Sequence, residues 1–257
     1  MKKTTLLLMV THLSLNCVSW PWPSKPAPKT PKVLNIYVCD PIPFEDVAQE
    51  LFMATKRRDV VGLILIINSN GGPAGEFSVV HDLVKKFSST RPVVALITSK
   101  ALSGGYLIAS AADSIMAHSA SQIGNIGVCA FIDRYKNTRV KGNIEADFST
   151  NAFIAGEFKA IENPYAPPLT ESQQAFMQAS VVKSYDLFLT LIAHNRNIEK
   201  ENYKLWAEGK IFLPSEALEC GLIDSIGTIF EAQEQIKNLI LERNPQANFV
   251  DDIEFIA

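Results

Sequence analysis

Cysteine, histidine, clustered basic residues and long apolar runs are all scarce in this 257-residue chain. Each scarcity removes a class of protein. Of four cysteines, Cys17 lies near the start, and Cys39, Cys129 and Cys220 are spread among apolar neighbours. An odd remainder without metal-type spacing argues against a disulfide scaffold and against a zinc site. No basic stretch goes beyond Lys56-Arg57-Arg58, which reads as a solvated helix end, and the formal net charge is −3. Nucleic acid is therefore not expected as a partner. No internal repeat occurs, so the chain reads as one globular domain of about 200 residues with a substantial core.

The amino terminus has an apolar run that stops early. Met1-Lys2-Lys3 forms a basic start and Leu6 to Val10 an aliphatic stretch, but Thr11 and His12 interrupt it before Leu13, Leu15, Cys17 and Val18. That is too short and polar for a membrane span of about 20 residues. It fits a cleaved signal, a weak uncleaved anchor, or a lipoprotein signal ending at Cys17, where Asn16 fits a lipobox poorly. An apolar start to a cytosolic protein is the bland alternative. Trp20 to Pro31 follows, rich in proline, as a stiff extended spacer.

What is present is strand–turn–helix patterning with glycine pairs at the turns. Val60 to Ile67 is almost continuously aliphatic, as a strand buried on both faces should be, and runs into Asn68-Ser69-Asn70-Gly71-Gly72-Pro73. Phe77, Val80, Val84 and Phe87 then recur at spacings of three and four, with His81, Asp82, Lys85 and Lys86 assigned to the polar side. A second unit runs from Val93 to Ile97, through Ala101-Leu102-Ser103-Gly104-Gly105, into the apolar helix Tyr106 to Ala112. Successive units of this kind put both turns on one edge of an α/β sheet, where active sites collect.

Ser103 at such a junction is either an exposed nucleophile or a helix N-cap. The free N–H groups of Gly71-Gly72 suit an oxyanion hole, and equally a plain tight turn. A serine nucleophile needs a base. None of the histidines (His12, His81, His118, His194) stands out, and His118 reads as a strand-end surface residue. Lys159 is the other candidate. It sits among Phe153, Ile154, Phe158 and Ile161, where desolvation would favour the neutral amine, although an exposed lysine at a helix start fits as well.

Four ordered motifs narrow these choices: Ile67 to Gly72, Leu102 to Tyr106, Gly124-Asn125-Ile126-Gly127-Val128, and Gly156-Glu157-Phe158-Lys159. With Trp206 to Phe212 and Ala217 to Gly227, they resemble the signal peptide peptidase A and protease IV family, SohB-like members included, over about residues 33 to 230. The resemblance implies an α/β fold of the ClpP/crotonase-like type, a repeated ββα superhelix with a helical C-terminal part. It implies a serine endopeptidase with Ser103 as nucleophile, Lys159 as general base and the N–H groups of Gly72 and Gly104 as oxyanion hole. Asn125 stands where the family has a serine that orients the lysine. No cofactor and no metal are implied.

Residue pattern and resemblance together make residues 1–20 a signal peptide or weak anchor, 21–32 a Pro-rich linker, 33–245 the Ser-Lys peptidase domain and 246–257 a polar tail. Peptide or signal-peptide substrates, a homo-oligomer, and a bacterial inner-membrane or exported location through the N-terminus follow as expectations. Two other readings compete: a catalytically impaired scaffold of this fold, and a ClpP-type or crotonase-type enzyme. The leader argues against coenzyme A chemistry, and the lack of a convincing histidine after Ser103 argues against a ClpP triad. The remaining pattern is helical, over 170–196 behind Thr170 as cap, from Glu199, over 213–221 and over 229–242.

Overall fold

The computed structural model describes residues 30–133, 154–164 and 166–257. The expected signal or anchor and nearly all of the linker lie outside these residues, as does Phe153.

Three strand–helix units come first: β1 (Lys32–Cys39), α1 (Phe44–Lys56), β2 (Val60–Ser69), α2 (Ala74–Ser88), β3 (Val93–Leu102) and α3 (Gly104–Ser110). Two short strands follow, β4 (Ser114–Ala117) and β5 (Gln122–Gly124). The C-terminal part is mostly helical, with α4 (Glu171–Arg196), α5 (Tyr203–Trp206), β6 (Ile211–Phe212), α6 (Pro214–Glu219), β7 (Ser225–Ile226), α7 (Ile229–Arg243) and β8 (Glu254–Ile256).

The strands make one sheet ordered β6-β5-β3-β2-β1-β8, with β4 also on β3 and β7 on β4. Every pairing is parallel except β5 with β6. Side chains alternate between the faces of a strand, so the aliphatic run of β2 serves two layers. Leu63, Leu65 and Ile67 join the layer of α1, α2 and α3, while Ile64 joins Ile236 and Ile240 of α7; Val61, skipped where the register with β1 shifts, lies on the α7 side too. β3 divides likewise, with Val93, Ala95 and Ile97 on one side and Val94 and Leu96 on the other. Each fully buried aliphatic chain contributes about 1.5–3 kcal/mol, which is why a polar residue cannot interrupt either run.

The sheet's polar joints are carboxylates at strand starts. Asp113 accepts the Val93 N–H at 2.8 Å and the Ser88 hydroxyl at 2.8 Å, and pairs with Arg243. Asp224 accepts the Ile115 N–H at 2.7 Å and takes Arg196 with both oxygens.

Three expectations change. β3 continues to Leu102, so the strand delivers Ser103 directly. Residues 246–257 are no loose polar tail: Ala247 and Val250 are buried, and β8 pairs with the start of β1. The acidic pair Asp251-Asp252 hides an apolar pattern: Phe249, Ile253 and Phe255 pack on the α7 side of the sheet. His81 is only 4% exposed, on the core side of α2. A neighbouring polar pair admits it there: the Asn195 amide donates to its Nε2 at 2.9 Å and to Ser110 Oγ at 3.0 Å.

Candidate active site

β2 and β3 run parallel, with Ser69 opposite Ala101, so their two glycine turns leave the same sheet edge side by side. The contact is close. A Cβ on Gly71, whose φ is +89°, would lie 2.7 Å from both the Leu102 carbonyl oxygen and Ser103 Cβ. A Cβ on Gly104 would overlap the Phe77 ring, so α3 can seat on α2 only without a side chain there. Glycine at both positions is a steric requirement of bringing the turns together.

Ser103 is half-buried and has φ 51° and ψ −121°, a conformation rare for a non-glycine residue. It precedes α3, yet its side chain makes no capping hydrogen bond. Its backbone N–H donates to the Gly124 carbonyl at 2.8 Å, and its carbonyl accepts the N–H groups of Tyr106 and Leu107 at 3.0 Å. The main chain is thus tied on both sides, while the hydroxyl has no hydrogen-bond partner among the described residues. That geometry departs from the cap reading, since caps adopt extended backbone and use the side chain as acceptor. The N–H groups of Gly72 and Gly104 donate to no described residue.

Asn125 also has positive φ, at 49°, a region asparagine tolerates better than most residues. Its N–H donates to the Lys210 carbonyl at 2.6 Å, and the Gly209 N–H donates to the Ile126 carbonyl at 3.0 Å. The closing motif around Gly209 is therefore stitched to the loop whose Gly124 carbonyl holds Ser103. Tyr106 anchors α3 from below: it is fully buried and its hydroxyl donates to the Leu222 carbonyl at 2.6 Å. Burial pushes the phenol well above its ordinary pKa.

Lys159 is not desolvated within the single chain. It is exposed, in a turn spanning 156–162, Ile154 is 52% exposed, and Phe158 and Ile161 are only half-buried. Apolar neighbours in sequence bury a lysine only where their segment packs on something. This turn rests on the first half of α4, through the Phe158 and Phe176 rings at 4.8 Å and a Gln173 amide donating to the Glu157 carbonyl at 2.7 Å. That half of α4 is itself open, with no buried residue before Phe188. Among the described residues no hydrogen bond joins Lys159 to Ser103.

His118 is exposed, its Nδ1 3.4 Å from the Ala120 N–H, in keeping with a strand-end surface residue. Sequence reasoning missed Asp40, which follows β1 and binds the turn after β2. An acidic residue at the same sheet edge as both glycine turns was the available signal. Among the described residues, no group of histidine, cysteine and carboxylate side chains is placed to hold a metal. No described helix is long and apolar enough to cross a membrane.

The chain is 29% identical over 204 residues to Protease 4 of Haemophilus influenzae, covering 79% of this chain and 32% of that protein. It is 25% identical over 188 residues to the chloroplastic serine protease SPPA of Arabidopsis thaliana, covering 73% of this chain and 27% of that one. It therefore spans about a third of the first relative and about a quarter of the second. A mutant ClpP1 from Listeria monocytogenes superposes with a TM-score of 0.51 at 17% identity, over 79% of this chain and 94% of its own, so the two share the ClpP-like fold. Peptidase family S49 matches residues 85–241, from the last turn of α2 through the Ser103 turn and the helical part almost to the end of α7, and the chain belongs to that family.

Proposed function

We propose that this chain is a serine endopeptidase in which Ser103 attacks the peptide carbonyl, Lys159 takes the serine proton, and the N–H groups of Gly72 and Gly104 receive the oxyanion. The observation that carries the reading is the uncommitted Ser103 hydroxyl on a backbone of φ 51°, beside two N–H groups without partners among the described residues. Membership of a peptidase family supports it. A neutral amine accepts the hydroxyl proton as the C–O bond forms, then returns it to the leaving amine as the C–N bond breaks; water repeats the cycle to release the acyl group. Preorganised donors aimed at developing charge are the largest contribution, each about 2.7–4 kcal/mol by deletion.

Lys159 needs dry surroundings to act as base, and the single chain leaves it exposed. A second copy packing on α4 would supply them, so the proposed enzyme is a homo-oligomer with each base completed by assembly. Peptides released at a membrane, cleaved signal peptides among them, are the proposed substrates, reached through the basic and apolar start of the chain. Exposure of Lys159 equally favours the second reading, an impaired scaffold of this fold. Labelling by a fluorophosphonate probe, with casein and peptide digestion, separates the two. Ser103→Ala should abolish both signals, and Lys159→Ala should cost nearly as much, with the double variant little worse than either. A chain that neither labels nor digests is the scaffold.

A further inference from the structure

Asp40 lies just past β1 and reaches the end of β2. Its Oδ1 accepts the Ser69 hydroxyl at 2.9 Å, and its Oδ2 accepts both the Asn70 backbone N–H at 2.7 Å and the Asn70 side-chain amide at 3.0 Å. Ser69 is fully buried, so its one proton is committed to Asp40 and its lone pairs face the other way. There the Gly71 N–H donates to Ser69 Oγ at 3.0 Å. A polar file thus runs from Asp40 through Ser69 to Gly71. It consumes the Gly71 N–H and leaves the next one, that of Gly72, as the open donor of the turn.

We infer that Asp40 is a positioning residue: through Ser69 and Asn70 it sets which backbone N–H of the 70–72 turn faces the carbonyl oxygen of the peptide at Ser103. The inference rests on the Ser103 and Gly72 roles proposed above. Chemistry explains why a carboxylate is used. Three donors converge on it, and an asparagine has one acceptor oxygen, so its NH2 would oppose either Ser69 or Asn70. A negative charge near an oxyanion site is unfavourable in itself. Here Asp40 is exposed to water, and Lys100 Nζ, 3.2 Å from Asn70 Oδ1, offsets it from the β3 side. The turn has little room to adjust by other means, because even a Cβ added at Gly71 would run into Leu102 and Ser103.

The test is made on the purified full chain with Asp40→Ala, Asp40→Asn and Ser69→Ala. Three readouts are taken: kcat and KM on a peptide substrate, inhibition by a peptide aldehyde whose adduct carries the oxyanion, and hydrogen exchange of the Gly71 amide. Displacing one donor should lower kcat about tenfold to a hundredfold with KM changed less than about threefold, and weaken the aldehyde by the same factor. Asp40→Asn should fall nearly as far as Asp40→Ala, Ser69→Ala should match it, and the Gly71 amide should exchange faster in all three while Tm holds. Unchanged kcat, a loss tracked by Tm, or an unchanged Gly71 amide would overturn the inference. Ser103→Ala is run alongside: hydrolysis surviving it defeats the nucleophile reading, whereas the Gly71 amide still decides whether Asp40 orders the turn.

Discussion

A backbone at φ 51° and ψ −121° costs a side-chain-bearing residue about 1–3 kcal/mol, and Ser103 adopts it without a compensating cap. Replacement by glycine removes the penalty, whereas alanine keeps it. Ser103→Gly should therefore raise Tm by a few degrees above that of Ser103→Ala, while both lack activity, and equal melting of the two would show that the site is not strained. His81 is the other residue whose chemistry its surroundings decide. Its Nε2 accepts from Asn195, so Nδ1 carries the proton and donates to Asp82 Oδ1 at 2.9 Å. Burial lowers its pKa, with Asp82 opposing and Lys85 assisting. The unfolded histidine gains a proton below about 6.5, and the folded one only at lower pH. Stability from this site is thus full above that value and is lost as pH falls toward the folded pKa. Melting curves across pH 8 to 5 should show that decline, and His81→Gln should flatten it.

At the scale of elements, α4 divides in two. Its second half buries Phe188, Leu189, Ile192 and Ala193 against the core. Its first half is open, and a capping box starts it: the Thr170 hydroxyl accepts the Gln173 N–H at 3.2 Å and the Gln173 side chain accepts the Thr170 N–H at 3.1 Å. Such a cap is worth about 1 kcal/mol, which matters most where packing adds little. Gln173 also holds the Lys159 turn through Glu157, and Phe176 through Phe158. Gln173→Ala combined with Phe176→Ala should thus leave Tm within a few degrees of the parent and lower kcat/KM about tenfold or more, by releasing the proposed base. A matching fall in Tm and activity would instead make this contact part of the folding core.

For the whole molecule, the open half of α4 runs about 25 Å at helical rise and exposes Phe176, Val182 and Leu187 at 51%, 55% and 59%. A lone chain gains nothing from holding such side chains in water, so they are expected to be covered by another copy. Light scattering should give a mass that is a multiple of 28.3 kDa. Val182→Glu with Leu187→Glu should return single chains that melt as before but have lost hydrolysis. Full activity in the single-chain form would show that Lys159 needs no neighbour.

Much of this architecture is written in local pattern. The aliphatic run of β2, interrupted only by Gly62, reads as a strand covered on both faces, the three-and-four spacing from Phe77 to Phe87 reads as a helix on that sheet, and the ordered Ser103, Asn125 and Lys159 motifs carry the family. Thr170 and Thr228 mark helix starts by their own chemistry, each with a glutamine or glutamate three residues on. Spacing along a chain does not report burial, however. His81 belongs by pattern to the polar face of α2, and it is buried because Asn195, from the far end of α4, meets it. Lys159 has apolar neighbours in sequence and remains exposed because its turn rests on a helix that itself stands clear of the core. Asp40 joins the site because parallel pairing brings the ends of β1 and β2 together, and β8 becomes a strand because β1 offers it an edge. Periodicity and turn chemistry are properties of adjacent residues, so the sequence determined the elements and the Ser103 turn. Desolvation and hydrogen-bond partners depend on what packs across the fold, so only the tertiary structure decided which polar groups were dry, paired or free.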